Sequence, residues 1–207
     1  RKEWEQARTR ILAQAAEPVT TRDGLHVEVV ANAGSPAEAR RAVELGAEGI
    51  GLLRTEFLFL DRQTLPDEDE QYEMYREILN PFPTGPVVIR TLDVGGDKNV
   101  PAITMPEEQN PFLGRRGIRL SLSEPEVFRT QLRAILRAAV GRNVKIMFPL
   151  VATLGDFEGG REQVETARKE LTERGVDFNA DCELGIMIEV PSDAVNAHRL
   201  AKHVDFF

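Results

Sequence analysis

Short apolar segments alternate with longer helical segments along most of this chain, and this alternation restricts the fold more than any other feature. Apolar runs predict five strands, at residues 25–30, 49–53, 86–92, 144–150 and 184–189, and a sixth begins at Val204. The runs are nearly continuously apolar, as expected of parallel strands that are covered by helices. The pattern therefore predicts an α/β fold with a parallel sheet.

Helix start and stop signals separate the apolar runs. Ser35-Pro36-Ala37-Glu38 has the form of a capping box with proline at the first helical position, and Gly46 is suited to end that helix. Ser123-Glu124-Pro125-Glu126 predicts a second capped helix, which ends near Gly141. Further helices are predicted at about 66–79, 157–174 and 191–202.

The two ends of the chain suggest that it is part of a longer protein. Residues 1–20 are charged and predict a linker helix from a preceding domain that is missing here, and residues 21–207 carry the alternating pattern. The sequence stops inside the predicted sixth strand. An unpaired apolar end such as Phe206-Phe207 is an aggregation hazard, so we expect the domain at 21–207 to be truncated at its C-terminal end.

Two architectures fit alternating strands and helices: an open doubly wound sheet and an eight-fold β/α barrel. No Gly-x-Gly-x-x-Gly follows the first strand, which weakens the dinucleotide-binding form of the doubly wound sheet. Arg54, Arg90, Asp93 and Glu189 all stand at or just beyond strand C-termini, where barrels collect their active sites. The prediction is a (β/α)8 TIM barrel, incomplete in this chain, with about six of eight units.

The segment that follows the apolar run 86–89 at the tip of the third strand, Arg90 to Lys98, has the densest chemistry in the chain. It combines Arg90, Asp93 and Lys98 with the pair Gly95-Gly96, whose flexible backbone lets amide groups face an anion. An arginine fork matches a carboxylate or a phosphate. The segment predicts a site for a small, highly charged anion, and the alternative is a tight loop with local ion pairs.

Three further residues are candidates for the same site, each with a plainer alternative. Arg54 directly follows an apolar strand and otherwise forms a surface salt bridge. Arg116 lies in an arginine-rich segment with Arg119 at helical spacing, which otherwise is a basic turn. Glu189 ends the fifth strand and suits Mg²⁺, which binds one or two carboxylates plus substrate oxygens; the alternative is a structural acid paired with an arginine.

Composition excludes some partners. The formal net charge of −8 argues against nucleic acid as the main partner, although clustered arginines can still attract a small anion. No apolar stretch approaches the roughly 20 residues that span a bilayer, so membrane insertion is not expected. The single cysteine, Cys182, cannot form an internal disulfide, which favours a cytoplasmic protein.

Five motifs, in order along nearly the whole chain, resemble one known family. They are Gly-Leu-Leu-Arg-Thr-Glu-Phe-Leu-Phe at 51–59, Arg-Thr-Leu-Asp-Val-Gly-Gly-Asp-Lys at 90–98, Asn-Pro-Phe-Leu-Gly-Arg-Arg at 110–116, Ile-Met-Phe-Pro-Leu-Val at 146–151 and Gly-Ile-Met-Ile-Glu-Val-Pro at 185–191. Together they resemble enzyme I of the bacterial phosphotransferase system, the phosphoenolpyruvate (PEP)–protein phosphotransferases.

The resemblance implies a fold, a substrate and a metal. The domain would be a PEP-binding β/α barrel of a transferase, with PEP held by Arg54 and Arg90 and with Arg116 and Lys98 near the phosphoryl group. Glu189 would be one ligand of Mg²⁺. Arginine and metal would neutralise the charge of the transferred phosphoryl group.

The resemblance also implies partners. The parent enzyme would pass the phosphoryl group from PEP to its own histidine and then to the HPr carrier protein, in sugar transport, as a cytoplasmic homodimer. The phosphorylated histidine and a proton-donating cysteine would lie outside this chain, so no catalytic residue is assigned here and the chain alone is not expected to transfer phosphate. The alternatives are a pyruvate phosphate dikinase or PEP synthase barrel, or a non-catalytic dimerisation or regulatory fragment.

Overall fold

A computed structural model describes residues 17–60, 62–95, 100–103 and 114–207, with 4, 11, 15 and 110 as single positions. The strands are β1 (Val19–Thr20), β2 (His26–Val27), β3 (Val30–Ala33), β4 (Gly49–Arg54), β5 (Val87–Arg90), β6 (Val144–Phe148) and β7 (Glu183–Ile186). The α-helices are α1 (Pro36–Glu44), α2 (Glu68–Leu79), α3 (Ile118–Ser123), α4 (Pro125–Ala138), α5 (Leu154–Glu173) and α6 (Pro191–Leu200). A short 3₁₀ helix, Glu56–Leu58, follows β4.

The main sheet is parallel and runs in chain order. Strands β3 to β7 lie side by side in the order β3-β4-β5-β6-β7, and Phe206 forms a parallel bridge to Gly185 of β7, at a sixth strand position. A doubly wound sheet would reverse its strand order, whereas a β/α barrel does not. The α/β prediction is therefore confirmed, and the described residues form the open, partial sheet expected of an incomplete barrel.

The helices form a layer over this sheet. Helix α1 contacts α2, α2 contacts α4, and α4 contacts α5, so successive helices are neighbours on one face. Between sheet and helices, Phe148 of β6 packs against Phe128 and Phe157, with ring centroids 6.0 and 6.1 Å apart. Because the strands are parallel, their carboxyl ends lie together at one edge of the sheet, beyond this apolar layer.

The first predicted strand, at residues 25–30, is wrong in its bounds. The run divides into β2, which pairs with β1 in an antiparallel hairpin, and β3, which begins the parallel sheet. Between them, the carboxylate of Glu48 accepts the N–H of Val29 at 3.0 Å and lies 2.8 Å from His26 Nε2. The apolar alternation continues through this break, so the pattern alone did not reveal it.

One predicted helix cap is confirmed at Ser35 and the other is wrong. The hydroxyl of Ser35 accepts the N–H of Glu38 at 3.2 Å at the start of α1, and Gly46 has a φ of +88° after its end. The reciprocal half of the predicted capping box is not formed, because the Glu38 carboxylate accepts the N–H of Gly34 instead of that of Ser35. Ser123, in contrast, ends the unpredicted helix α3, and its hydroxyl donates to the carbonyl of Leu120 at 2.8 Å. Helix α4 has no side-chain cap.

The remaining predictions on domain organisation lie partly outside the described residues. The linker helix predicted for residues 1–20 falls mostly on positions that the structure does not describe. The predicted division between residues 20 and 21 stays a prediction. Within the part of the chain that is described, no helix has the length and apolar character of a membrane span.

Candidate active site at the strand ends

The parallel sheet brings the predicted arginines to one edge. Arg54 is the last residue of β4 and Arg90 the last residue of β5, and the two are register partners. Register partners in adjacent strands place their side chains on the same face of the sheet. Glu189 follows the end of β7 by three residues and therefore belongs to the same edge.

Two buried carboxylates hold the guanidinium group of Arg90. Its Nη2 donates to Oε1 of Glu56, and its Nη1 lies 3.3 Å from Oδ2 of Asp93. The Arg90 side chain is only 8% exposed, and the two carboxylate side chains are less exposed still. Nη1 also lies 3.8 Å from the sulfur of Met187, beyond the end of β7. The Arg90 guanidinium is thus fixed between three strand ends.

Asp93 joins a second arginine to this group. Arg116 Nε donates to Oδ1 of Asp93 at 2.9 Å, and its Nη2 donates to Oδ2 at 3.3 Å. This two-point contact is the strong geometry of an arginine–carboxylate pair. Asp93 therefore sets the separation of Arg90 and Arg116, which come from segments 26 residues apart in the chain.

Gly95 allows the β5 end to approach the Arg116 segment. Gly95 has a φ of +132°, a conformation that side chains rarely adopt. A Cβ atom here would lie 2.7 Å from the carbonyl oxygen of Arg115 and 2.9 Å from Cβ of Arg116. The missing side chain lets the two segments meet, so that Asp93 can pair with Arg116.

Backbone contacts orient Glu189. The N–H of Leu150 donates to its Oε1 at 2.8 Å, and Leu150 adopts a φ of +54°, which is unusual for a residue other than glycine. On the other side, Oδ2 of Asp193 accepts the N–H groups of Glu189 and Val190 at 3.1 and 3.2 Å. Asp193 is fully buried. These contacts fix both the main chain and one carboxylate oxygen of Glu189.

The groups around Glu189 shift its pKa in opposite directions. Loss of hydration raises its pKa above the usual value although the side chain stays accessible, and the nearby Asp93 carboxylate raises it further. The hydrogen bond from Leu150 and the positive charges of Arg90 and Arg116 lower the same pKa. Glu189 therefore lies close enough to this group to interact with each member.

Arg54 lies at the open side of the site. Its side chain is exposed and lines a cleft of about 310 Å³ between the ends of β3 and β4. Glu56, which pairs with Arg90, lines the same cleft, together with Asn32 and Phe57. Of the buried ion-paired residues, Glu56 lines this cleft together with Arg54.

The structure brings together most of the residues that the sequence singled out. Arg90, Arg116 and Glu189 lie in one charged group, Arg54 lies beside it, and Lys98 lies outside the described residues. Their binding roles remain predictions. The pairing of Glu56 with Arg90 was not predicted. Glu56 follows β4 by two residues, which places it near the same edge but does not identify its partner.

The carboxylates allow a metal shared with a ligand, not a closed protein site. Among the described residues, no group of three or more His, Cys, Asp or Glu side chains is arranged to hold a metal ion. Both oxygens of Asp93 already contact arginines, so Asp93 is poorly suited to bind a metal ion as well. Glu189 offers its Oε2, which has no hydrogen-bond donor among the described residues. One carboxylate oxygen plus substrate oxygens and water suits Mg²⁺.

Comparison with known proteins gives closely similar sequences. A phosphoenolpyruvate-protein phosphotransferase of Bacillus subtilis (strain 168) is 46% identical over 213 residues, covering 100% of this chain and 37% of that protein. One of Staphylococcus carnosus (strain TM300) is 52% identical, covering 93% and 33%. A multiphosphoryl transfer protein of Rhodobacter capsulatus is 53% identical, covering 92% and 22%. The chain thus spans about a third or less of the length of these relatives.

The family match covers nearly all of the chain. Residues 8–207 match the family described as PEP-utilising enzyme, PEP-binding domain. The match includes every strand of the parallel sheet and all of the charged residues at its edge. The chain belongs to the PEP-binding domain family of PEP-utilising enzymes.

Proposed function

We propose that this chain is the PEP-binding part of a PEP–protein phosphotransferase, a transferase of the enzyme I type. The main support is the convergence of Arg90 and Arg116 on Asp93, beside Arg54 and Glu189, at the carboxyl edge of a parallel sheet. The names of the similar sequences support the same reaction. This edge is where β/α barrels carry their active sites.

The chemistry of PEP fits the donors at this edge. PEP carries a carboxylate and a phosphate, and each suits the forked donors of an arginine. Arg54 has an exposed side chain in the open cleft and meets the ligand first. Arg90 and Arg116 are held in place before the ligand arrives, so little ordering is needed on binding. Lys98 is a fourth candidate donor in the same proposal.

Buried polar groups without partners support a ligand at the β5 end. Arg90 Nε and the hydroxyl of Thr91 are both buried and have no hydrogen-bond partner among the described residues. Such groups are rare in folded proteins, and a bound ion, water or ligand is one explanation for them.

Mg²⁺ is the cofactor that the carboxylates suit, and Glu189 is its proposed protein ligand. When bound, the ion neutralises negative charge on the phosphoryl oxygens. Arg90, at the end of β5, and Arg116, in the segment before α3, would neutralise charge on the same phosphoryl group. Glu56 and Asp93 keep these two arginines in position.

The proposal extends to the whole enzyme. The phosphoryl group passes to a histidine in a separate N-terminal domain of the same protein and then to an HPr-type carrier protein. The enzyme acts as a cytoplasmic homodimer in sugar transport. The names of the relatives support PEP as the phosphoryl donor and a protein as the acceptor. The histidine domain, the carrier protein and the homodimer enter this proposal only through the family resemblance.

The deciding experiment is PEP binding to the full-length phosphotransferase with Mg²⁺ present, measured by titration calorimetry. Replacing Arg90→Ala should weaken PEP binding by about a hundredfold, because a charge-assisted contact is lost and two carboxylates are left without their cation. Arg40→Ala is the control, since Arg40 forms an exposed ion pair with Glu77 on the helical face. Unchanged PEP affinity in Arg90→Ala would refute the proposed function.

A further inference from the structure

A set of fully buried polar side chains lies beneath the end of β5. Its centre is Gln131 of α4, which is 1% exposed. Oε1 of Gln131 accepts the N–H of Leu92 at 2.9 Å, and its Nε2 donates to Thr55 Oγ1 and to Tyr75 Oη, both at 3.2 Å. Because a backbone N–H must meet an oxygen, the orientation of this side-chain amide is fixed.

Thr55 connects this amide to the main chain of Arg90. The hydroxyl of Thr55 donates to the carbonyl oxygen of Arg90 at 2.9 Å and accepts from Gln131. Thr55 thus holds the backbone on one side of Thr91, and Gln131 holds it on the other side through Leu92. The two bonds fix the main chain where β5 ends and the Arg90 side chain departs.

The network is anchored away from the site. Tyr75 of α2 lies within 3.5 Å of Gln71 Oε1, and Gln71 Nε2 donates to the carbonyl oxygen of Pro66 at 3.1 Å. Gln71, Tyr75 and Thr55 are each no more than 1% exposed. Helices α2 and α4 are therefore joined to the ends of β4 and β5 by side chains that water does not reach.

Packing alone does not account for this arrangement. Apolar side chains could fill the same space without burying hydroxyl and amide groups, whose burial is unfavourable unless they are hydrogen-bonded. The network instead supplies directed bonds to the two backbone groups that flank Thr91. A small rotation of this backbone would be magnified at the guanidinium of Arg90, because that group lies at the end of a long side chain.

We propose that Thr55 and Gln131 are positioning residues that aim the Arg90 guanidinium at its ligand through the Arg90–Leu92 backbone. This inference rests on the proposed function, because it requires Arg90 to bind PEP. Neither residue touches the ligand. They fix the direction in which the Arg90 guanidinium points. Their loss should therefore weaken PEP binding, in addition to any effect on the stability of the fold.

The test uses paired variants of the full-length phosphotransferase. Thr55→Val keeps the shape of the side chain and removes the hydroxyl, whereas Thr55→Ser keeps the hydroxyl. Thr55→Val should raise the KM for PEP about tenfold, and Thr55→Ser should restore it to within about twofold of the parent. Gln131→Met, of similar length without hydrogen-bonding groups, should act like Thr55→Val and carries the test if that variant does not fold.

Controls separate positioning from stability. Ile135→Val removes a buried methylene from the same helix as Gln131 and should lower Tm while leaving the KM for PEP unchanged. If Thr55→Val and Gln131→Met lower Tm but leave the KM unchanged, as Ile135→Val does, the positioning role is refuted. The proposed function itself fails only if Arg90→Ala also leaves PEP binding unchanged. Failure of the positioning role alone can therefore be distinguished from failure of the proposed function.

Discussion

Asp93 is the residue on which the geometry of the site depends most. Its two oxygens contact Arg90 at 3.3 Å and Arg116 at 2.9 and 3.3 Å, and it is 3% exposed. Two arginines this close would repel each other in a poorly hydrated site without an intervening negative charge. Asp93 therefore allows a pair of cations to stand ready for a multiply charged anion.

Asp93→Asn should destabilise the folded chain. The amide keeps the size of the side chain but removes the charge, which leaves two buried guanidinium groups without part of their compensation. We expect a loss of about 3 kcal/mol in the free energy of unfolding, measured by urea denaturation at pH 7. Glu77→Gln is the control, because the Arg40–Glu77 pair is exposed on both sides and should contribute little. Equal stability of Asp93→Asn and the parent would contradict this account.

At the residue scale, the sequence predicted where the site residues lie better than it predicted which side chains they contact. Arg54, Arg90 and Glu189 could be placed at one edge because each follows an apolar run, and parallel strands bring such positions together. The contact between Glu56 and Arg90 could not be predicted in the same way. This contact depends on the register of β4 against β5 and on the 3₁₀ turn that follows Arg54. The pattern of apolar residues predicts neither of them.

Three helices are joined at one carboxylate on the outer side of the helical layer. Glu68, the first residue of α2, lies within hydrogen-bond distance of Arg133 and Arg137 of α4 and of Arg174 after α5, at 2.6 to 3.0 Å. These hydrogen bonds and the nearby positive charges outweigh burial and lower the pKa of Glu68 to about 2. The ion pairs therefore hold α2, α4 and α5 together.

The Glu68 network should make stability depend on pH in acid. Because the folded-state pKa lies below the usual 4.5, ionised Glu68 stabilises the fold fully above pH 4.5 and loses this effect as the pH falls toward 2. Because the pairs are partly exposed and screened by solvent, we expect a contribution of about 1 kcal/mol. We expect the free energy of unfolding to fall less steeply between pH 4.5 and 2 in Glu68→Gln than in the parent. Parallel curves for the two proteins, from urea unfolding at each pH, would contradict this expectation.

At the element scale, the existence of most helices and strands could be predicted, but two local features could not. Helix α3 has only six residues and too few turns to show helical periodicity, and it begins where Gly117 adopts a φ of +56°. The division of residues 25–30 into β2 and β3 depends on contacts with Glu48, which lies 18 residues beyond the end of that run. The second feature arises from tertiary contacts rather than from local propensity.

At the scale of the whole molecule, the negative net charge of the chain disfavours binding of an anionic ligand unless a cation binds with it. The formal net charge is −8, and the site combines the guanidinium groups of Arg54, Arg90 and Arg116 with the carboxylates of Glu56, Asp93 and Glu189. The positive and negative side chains are equal in number among these described residues. The arginines therefore supply direction and hydrogen bonds for the proposed ligand, PEP, but no net positive charge.

PEP binding should consequently require a divalent cation. In titration calorimetry of the full-length protein, we expect PEP to bind at least tenfold more tightly with Mg²⁺ than with EDTA, because the added charge offsets that of Glu189 and of the ligand. Glu189→Gln should reduce this ratio, since it removes the proposed ligand of the ion, whereas the exposed Glu77→Gln should leave the ratio unchanged. Equal affinities in Mg²⁺ and EDTA would show that the arginines alone overcome the negative charge of the molecule, and Glu189 would then have a structural role through its bond to Leu150.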